Sequence, residues 1–498
     1  MEPKKTISGY PLILGYLGYF IMMIGLINLL PLLTILFYPE DASESKYFIV
    51  PGVVAIIVGY LLSLILRGKG TSKLERHQDI LLIFLIWVFA IIISAFPFIL
   101  SGNYNFTQAI FESTSGYSTT GLSVVDVAVT SKTFLLFRSL LQFFGGVGLV
   151  LVLTSAISDK YGMKLYFAEG HNDKLLPNLA KSARLILSIY IFYIIIGSMM
   201  YTLFGMSVFD SINHSIASLS TGGFSTKTAS IGYYDSFPIE IITMVLMLLG
   251  STNLIIHLQI FKAKYKKAFH HNEMKLLMIV TLIFLPIMTL SYMQNSDSAL
   301  FDSFRVGLFQ FVSAITTTGF QTVEQFTTLP HILNYSVIIL MIIGGGIGST
   351  SGGIKQYRIT LLLKSLFWNI RDKMSHERTI HTNYIQKFGK DFEVLDEDIN
   401  NNNSFIALYF IVLVIGTVIF SMYGYTLEES FFEFSSALGT VGLSIGIISY
   451  HTEPVLLWVT TFGMFLGRLE FYVILIAISR LVIDLSKKKV HNVKKRVA

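Results

Sequence analysis

Four short stretches place threonine and glycine where a polypeptide can strip a cation of its water: Thr119-Thr120-Gly121-Leu122, Thr221-Gly222-Gly223-Phe224, Thr317-Thr318-Gly319-Phe320 and Thr440-Val441-Gly442-Leu443. Six residues before each closing glycine stands a small residue, Ser115, Ala217, Ser313 or Ser436, and nine before it Glu112, His214, Gln310 or Glu433. One such triplet means nothing in an apolar chain. Four in matched contexts, recurring about every 100 residues, form an internal repeat. A cation entering a low-dielectric medium must exchange its hydration shell for oxygens, and a ring of backbone carbonyls supplies them. Glycine permits positive φ, so successive carbonyls can face one axis. Threonine adds hydroxyl oxygens with little bulk. The competing reading is that these are helix-packing glycines, but they lie at the exits of segments too short to cross a bilayer.

The elements that position them are helical. A spanning helix needs about 20 mostly apolar residues, and about ten runs qualify: 11–37, 48–66, 79–100, 134–157, 184–206, 237–261, 275–293, an interrupted 331–366, 404–424 and 454–484. Between them lie shorter, Ser-, Thr- and Glu-containing runs near 106–118, 209–219, 301–315 and 427–438. These read as re-entrant helices, each directing the negative end of its dipole at the ion. Irregular backbone at membrane depth is tolerated where protein buries it or a watery path runs beside it.

Composition agrees. Of 498 residues 53% are hydrophobic and 14% charged, with a mean hydropathy of +0.64, against about 25% charge in soluble domains. Lipid is therefore the solvent, and nucleic-acid-binding, fibrous and disordered classes are excluded. There is no cysteine, hence no disulfide, thiolate metal site or cysteine nucleophile. The apolar run after Met1-Glu2-Pro3-Lys4-Lys5 is too long for a signal core and has no cleavage site, so it reads as a retained span.

The excess of 37 basic over 31 acidic residues reads as topology. Arg67, Lys69, Lys73 and Arg76, the 158–184 loop (Lys160, Lys164, Lys174, Lys181 and Arg184), the 262–267 loop and the tail from Lys487 to Arg496 all fall on one side. Both termini are then cytoplasmic, as is the acidic, Asn-rich 367–403 linker.

The interrupted run contains Gly344, Gly345, Gly346, Gly348, Ser349, Thr350, Ser351, Gly352 and Gly353, followed by Lys355. Each glycine costs a helix about 1 kcal/mol relative to alanine, so the helix unravels here, either as a close-packing kink or as a loop obstructing the pathway. Arg468 and Glu470 sit in an apolar run, where ionisable residues must face protein or water. Arg468 reads as facing the pathway or that loop, with a structural ion pair as the alternative. Glu470 reads as an anchor to another repeat and Lys355 as a gate or topology residue. Glu112 and Glu433 are expected to hold backbone N–H groups near the glycines, and Lys132 and Arg138 to lie at the outer interface.

On Thr119-Thr120-Gly121, Ser220–Thr226, Thr316–Phe320, Gly348–Lys355 and Gly467-Arg468-Leu469-Glu470, the chain resembles the membrane subunit of the Trk/Ktr/HKT superfamily of potassium transporters, more narrowly the TrkH type. The likeness spans nearly the whole chain. It implies an all-α polytopic fold of four fused helix–pore helix–helix repeats around one pathway plus an N-terminal helix pair. It also implies K+ as the transported ion, a homodimer, a cytoplasmic TrkA-like nucleotide-binding ring as regulator, and residence in the plasma membrane. The four filter glycines are associated in that superfamily with preference for potassium over sodium. Two departures are Gln321, where the other repeats have Ser123, Ser225 and Ser444, and the Val441 filter of the fourth repeat.

The division that follows is 1–78 (helix pair), 79–158, 184–267, 273–373 and 404–486 (repeats), 374–403 (linker) and 487–498 (tail). No organic cofactor or nucleotide fingerprint is present, since Gly353-Ile354-Lys355 lacks the phosphate-loop ending. Enzyme motifs fail: Gly442-Leu443-Ser444-Ile445-Gly446 lacks a strand–turn–helix setting, and His376…His381 has the wrong spacing for zinc. The expectation is potassium uptake. The alternatives are a sodium-permeable or H+/Na+-coupled symporter and, remotely, a membrane-embedded hydrolase.

Overall fold

The computed structural model describes residues 6–67, 70–71, 78–148, 179–262, 266, 271–296, 298–376, 379, 381–387 and 390–497. Apart from two small two-stranded pairings, the described chain is helical. Six helical stretches are long and apolar enough to cross a bilayer: Tyr10–Leu36, Pro39–Leu66, Gln78–Leu100, Arg184–Leu203, Asn272–Ser296 and Asp396–Met422. The first two form the N-terminal pair. Each of the other four opens a repeat and is followed by a short helix: Phe106–Tyr117, Val208–Leu219, Leu300–Ile315 and Leu427–Leu438.

Local chemistry starts three of these four short helices. Asn105 with Gln108, and Thr426 with Glu429, make reciprocal capping boxes, while Ser207 accepts from the Asp210 N–H. Each arrangement satisfies N–H groups that have no partner in the first turn.

The returning helices are shorter than the sequence leads one to expect. Lys132–Val147, Phe237–Ser251, His331–Ile342 and Pro454–Arg468 all stop at the same station of their repeat. Only the third was expected to break; the runs 237–261 and 454–484 are broken too. Thr252 is extended, Glu470 and Phe471 adopt positive φ, and Gly148 ends the first at φ 100°. The remainder of 134–157 lies outside the described residues. The physical cause is close approach. A Cβ on Gly145, Gly250 or Gly467 would run into the carbonyl oxygen of Tyr117, Leu219 or Leu438, the last residue of the short helix in the same repeat. The Gly- and Ser/Thr-rich ends that allow this contact are poor at continuing a helix.

The core has two main parts. One joins the second, third and fourth repeats with Phe111, Leu122 and Val124 of the first, and the other packs the N-terminal pair against the first repeat and the end of the fourth. Lipid-exposed apolar residues such as Leu282 and Ile411 cover the outside. The 367–403 linker is more structured than a solvated loop: helix Gln356–Met374 continues into it, and a hairpin, Tyr384–Lys387 with Lys390–Glu393, buries Ile385 against Leu361 and Val394. The proposed cytoplasmic loops 158–184 and 262–267 lie largely outside the described residues.

Candidate ion pathway

Each short helix ends in the same way. The N–H groups of Thr120, Gly222, Thr318 and Val441 donate to the carbonyls of Ser115, Ala217, Ser313 and Ser436, at 2.8–3.0 Å. That closure puts the intervening threonine in the left-handed region, with φ 55° at Thr119, 51° at Thr221, 53° at Thr317 and 51° at Thr440. A non-glycine residue there is uncommon, and its fourfold recurrence marks one repeated design. The glycine that follows is also at positive φ, from 71° at Gly223 to 95° at Gly442.

The four glycines close a ring. A Cβ on Gly121 would strike the carbonyl oxygen of Gly222; on Gly223, that of Thr318; on Gly319, that of Val441; and on Gly442, that of Thr120. Each glycine therefore abuts the residue before the glycine of the next repeat, and the fourth returns to the first. Two requirements, positive φ and absence of a side chain, meet at the same four positions.

The residues nine positions earlier act as struts. Glu112 accepts from Ser123 Oγ at 3.0 Å and the Val124 N–H at 3.1 Å. Glu433 accepts from Ser444 Oγ at 2.8 Å and the Ile445 N–H at 3.0 Å. His214 Nε2 bonds Ser225 Oγ at 3.0 Å. In the third repeat, where Gln321 replaces serine, Gln310 reaches one residue further, to Thr322 Oγ1 at 3.4 Å. Small residues six positions before the glycine add a second support: Ser115 and Ser436 accept from the N–H of Gly121 and Gly442 at 3.1 and 3.0 Å.

Arg138 is not at the outer interface. It is buried, pairs with Glu112 at 2.7 Å, donates to Ser123 Oγ at 2.9 Å and lies over the Phe224 ring at 4.0 Å. Its neighbour one turn on, Gln142, donates to the Gly222 carbonyl at 2.5 Å and accepts from the Phe224 N–H at 3.3 Å. Both went unassigned as supports of the glycine ring. Their signal was two polar residues four apart, on one face of an apolar helix. Lys132 does lie at the helix start, 3.7 Å over the Tyr38 ring.

Beneath the ring the third repeat unwinds over 343–355. The loop is zipped at its base by Gly344 N–H to Ile354 O (3.0 Å), Ile354 N–H to Ile342 O (2.9 Å) and Gln356 N–H to Gly345 O (3.0 Å). Gly348 and Gly353 take φ 67° and 66°, and Ser349 Oγ bridges Gly346 O and Ser351 Oγ. The tip runs under the left-handed threonines. Thr350 Oγ1 lies 3.0 Å from Thr221 Oγ1 and within reach of Leu219 O and Gly250 O. The Gly352 N–H donates to Thr317 Oγ1 at 2.8 Å, and Gly352 faces Thr440 Oγ1.

Two side chains, Arg468 and Glu273, fasten this loop to its surroundings, and two more, Lys355 and Glu470, brace its exit into helix Gln356–Met374. Arg468 donates to Thr350 O at 2.5 Å and to the carbonyls of Gly145 and Gly146 in the first repeat. Lys355, at the start of helix Gln356–Met374, donates to Ser351 O. Glu470 pairs with Arg358 of the third repeat at 2.6 Å. Glu273, at the start of helix Asn272–Ser296 and unassigned from sequence, accepts from the Ile347 N–H at 2.9 Å. Its position directly after a basic loop hid it. A small cavity lined by Gly348, Ser349, Gly352, Lys355 and Arg468 lies under the loop.

The enzyme-like motifs have other roles. Ser444 is a strut partner of Glu433, and His381 pairs with Asp372 at 3.1 Å.

Comparison with known proteins fits this geometry. The family model of TrkH cation transport proteins matches residues 44–489. An uncharacterized cation transporter from Methanocaldococcus jannaschii is 30% identical over 96% of both chains. The Trk system potassium uptake protein TrkH from Vibrio parahaemolyticus is 30% identical over 94% of this chain and 98% of its own. The crystal structure of the potassium transporter TrkH from Vibrio parahaemolyticus superposes with a TM-score of 0.83 at 27% identity, covering 94% of this chain and 98% of that one. These are transport proteins, not enzymes. The chain belongs to the TrkH family of cation transport proteins.

Proposed function

We propose that this chain takes up potassium through the ring of Gly121, Gly223, Gly319 and Gly442, with loop 343–355 as its gate. The observation that carries the reading is the cyclic contact of each glycine with the next repeat's carbonyl. It brings four oxygen-bearing backbone turns around one axis, where they can replace a cation's hydration shell. With one glycine per repeat the ring is shallower than a filter of stacked carbonyl rings, so selectivity for potassium over sodium is modest.

The gate reading rests on where the loop runs. It passes under threonines of the second, third and fourth repeats and is tied by Arg468 to the first. The relatives' names as potassium uptake proteins support K+ as the transported ion. The protein works as a homodimer in the plasma membrane with both termini in the cytoplasm, and a cytoplasmic TrkA-like nucleotide-binding ring moves the gate. Basic loops on the cytoplasmic side support this orientation.

Ion flux in liposomes holding the full chain, with K+ and Na+ gradients imposed separately, tests the reading. Potassium-driven flux is expected to exceed sodium-driven flux, and neither ion should drive the other uphill. Rubidium uptake that survives Gly223→Asp or Gly319→Asp rules out the ring as the filter. Basal flux that fails to rise on deletion of 346–351 rules out the loop as the gate.

A further inference from the structure

The four struts behind the ring share a position but not a charge. Glu112 is neutralised by Arg138, both side chains being buried. His214 bridges the Asp210 carbonyl and Ser225 Oγ, and Gln310 is an amide. Glu433 is fully buried and held by neutral donors, the Ser444 hydroxyl and the Ile445 N–H, with the Ile448 N–H beside them. Among the described residues no cationic side chain forms an ion pair with it. A buried carboxylate without a counter-charge is costly and takes up a proton instead, so neutral donors alone do not hold Glu433 in its charged form; a cation close by does. Ser444 and Ile445 are two and three positions beyond Gly442, so the carboxylate stands directly behind the segment that leaves the ring.

We propose that Glu433 sets the cation affinity of the pathway: its carboxylate lends the glycine ring a negative charge, and the cation in the ring supplies the counter-charge that Arg138 supplies to Glu112. The proposal rests on the ring being the filter. Carbonyl dipoles alone carry no net charge, and one carboxylate placed to one side raises occupancy without contacting the ion, so the ion can still leave. Glu433 is thus a positioning residue for charge, and the asymmetry makes the fourth repeat electrostatically distinct.

The test uses the full chain in liposomes, with potassium flux measured across a range of K+ concentrations. Glu433→Gln keeps the volume and an acceptor for Ser444 and Ile445. The KM for K+ is expected to rise about tenfold, the scale of one unit charge acting through protein at several ångströms, with the maximal rate within about twofold. Adding Gln310→Glu puts a carboxylate at the matching station of the third repeat and is expected to bring KM back towards its original value. A purely bracing role cannot produce that rescue, because residue 310 holds a different segment. An unchanged KM in Glu433→Gln, or a raised KM that Gln310→Glu does not lower, overturns the proposal. If Glu433→Gln does not fold, Gln310→Glu alone is read: KM must fall, and an unchanged value overturns the proposal. Failure of the filter reading looks different, because Gly319→Asp would then leave flux intact whatever Glu433 does.

Discussion

Arg468 of the fourth repeat donates to the carbonyl of Thr350, 2.5 Å away, in the loop of the third. The same guanidinium bonds the Gly145 and Gly146 carbonyls of the first repeat, while the loop hangs from the second through Gly346 N–H to Ser251 O and Thr350 N–H to Gly250 O. One side chain therefore completes a connection among all four repeats immediately beneath the glycine ring. On the proposed pathway it also sets a positive charge in the way of a cation. Hydrogen bonding and repulsion act in the same sense: both favour the obstructed arrangement.

Replacing Arg468 should loosen the gate. A hydrogen bond from a charged donor contributes about 1.5–3 kcal/mol, so Arg468→Ala is expected to raise basal rubidium flux about tenfold or more in liposomes without a regulatory partner. Arg468→Lys should fall between, because an ammonium cannot fork between Thr350 and the two glycine carbonyls as a guanidinium does. Equal flux in all three proteins would contradict the assignment.

Glu273 grips the other side of the same loop through the Ile347 N–H, and His271 stands 3.5 Å from its carboxylate. Glu273→Ala is expected to raise basal flux severalfold. Because both anchors hold one element, their effects should not multiply: the Arg468→Ala/Glu273→Ala protein is expected to conduct less than independent effects predict, a coupling that a double-mutant cycle on flux reads directly.

What was legible in the sequence and what was not follows from range. Thr119, Thr221, Thr317 and Thr440, with their glycines, stand out because the turn they make is local and occurs four times. The glycine run 344–353 is equally local, since its helix-breaking is a property of the residues themselves. Arg138 was misplaced because its meaning depends on Glu112, 26 residues away across the glycine turn, and a lone arginine near a helix start resembles an interface anchor. The breaks at Thr252 and Glu470 were invisible for a related reason. Apolar periodicity reports what faces lipid, whereas the break is forced by a short helix packing against Gly250 or Gly467. The fold was legible through repetition, and so were Glu112 and Glu433, which hold N–H groups within their own repeats as expected; Arg138 and Gln142 were not, because each joins segments distant in sequence.

The ring itself predicts a contrast between neighbouring glycines. At Gly223 an alanine would need positive φ and would collide with the backbone carbonyl of Thr318, which cannot move without shifting the third repeat. At Gly222 the same methyl meets the side chain of Gln142, which must loosen its bonds to Gly222 O and the Phe224 N–H to clear it but is no part of the backbone ring. Gly223→Ala is therefore expected to abolish potassium selectivity or flux, while Gly222→Ala retains flux with selectivity weakened about tenfold, within the scale of the about 1–3 kcal/mol that overpacking costs. The ratio of potassium to sodium flux in the two proteins is the measurement.

The pair formed by Arg138 and Glu112 predicts stability instead of conduction. Both side chains are buried at 2% exposure or less, so removing one strands the other, and breaking such a pair costs about 3–5 kcal/mol. Arg138→Met should therefore lower the thermal unfolding temperature in detergent markedly, and Glu112→Gln, which leaves a guanidinium without its carboxylate, should do so as well. In the double variant no uncompensated charge remains, and the introduced amide can still accept from Ser123 and the Val124 N–H. Its unfolding temperature is expected to lie above that of Arg138→Met. A double variant at or below that single variant would mean that Arg138 acts through Phe224 and Ser123, and that the ion pair contributes little.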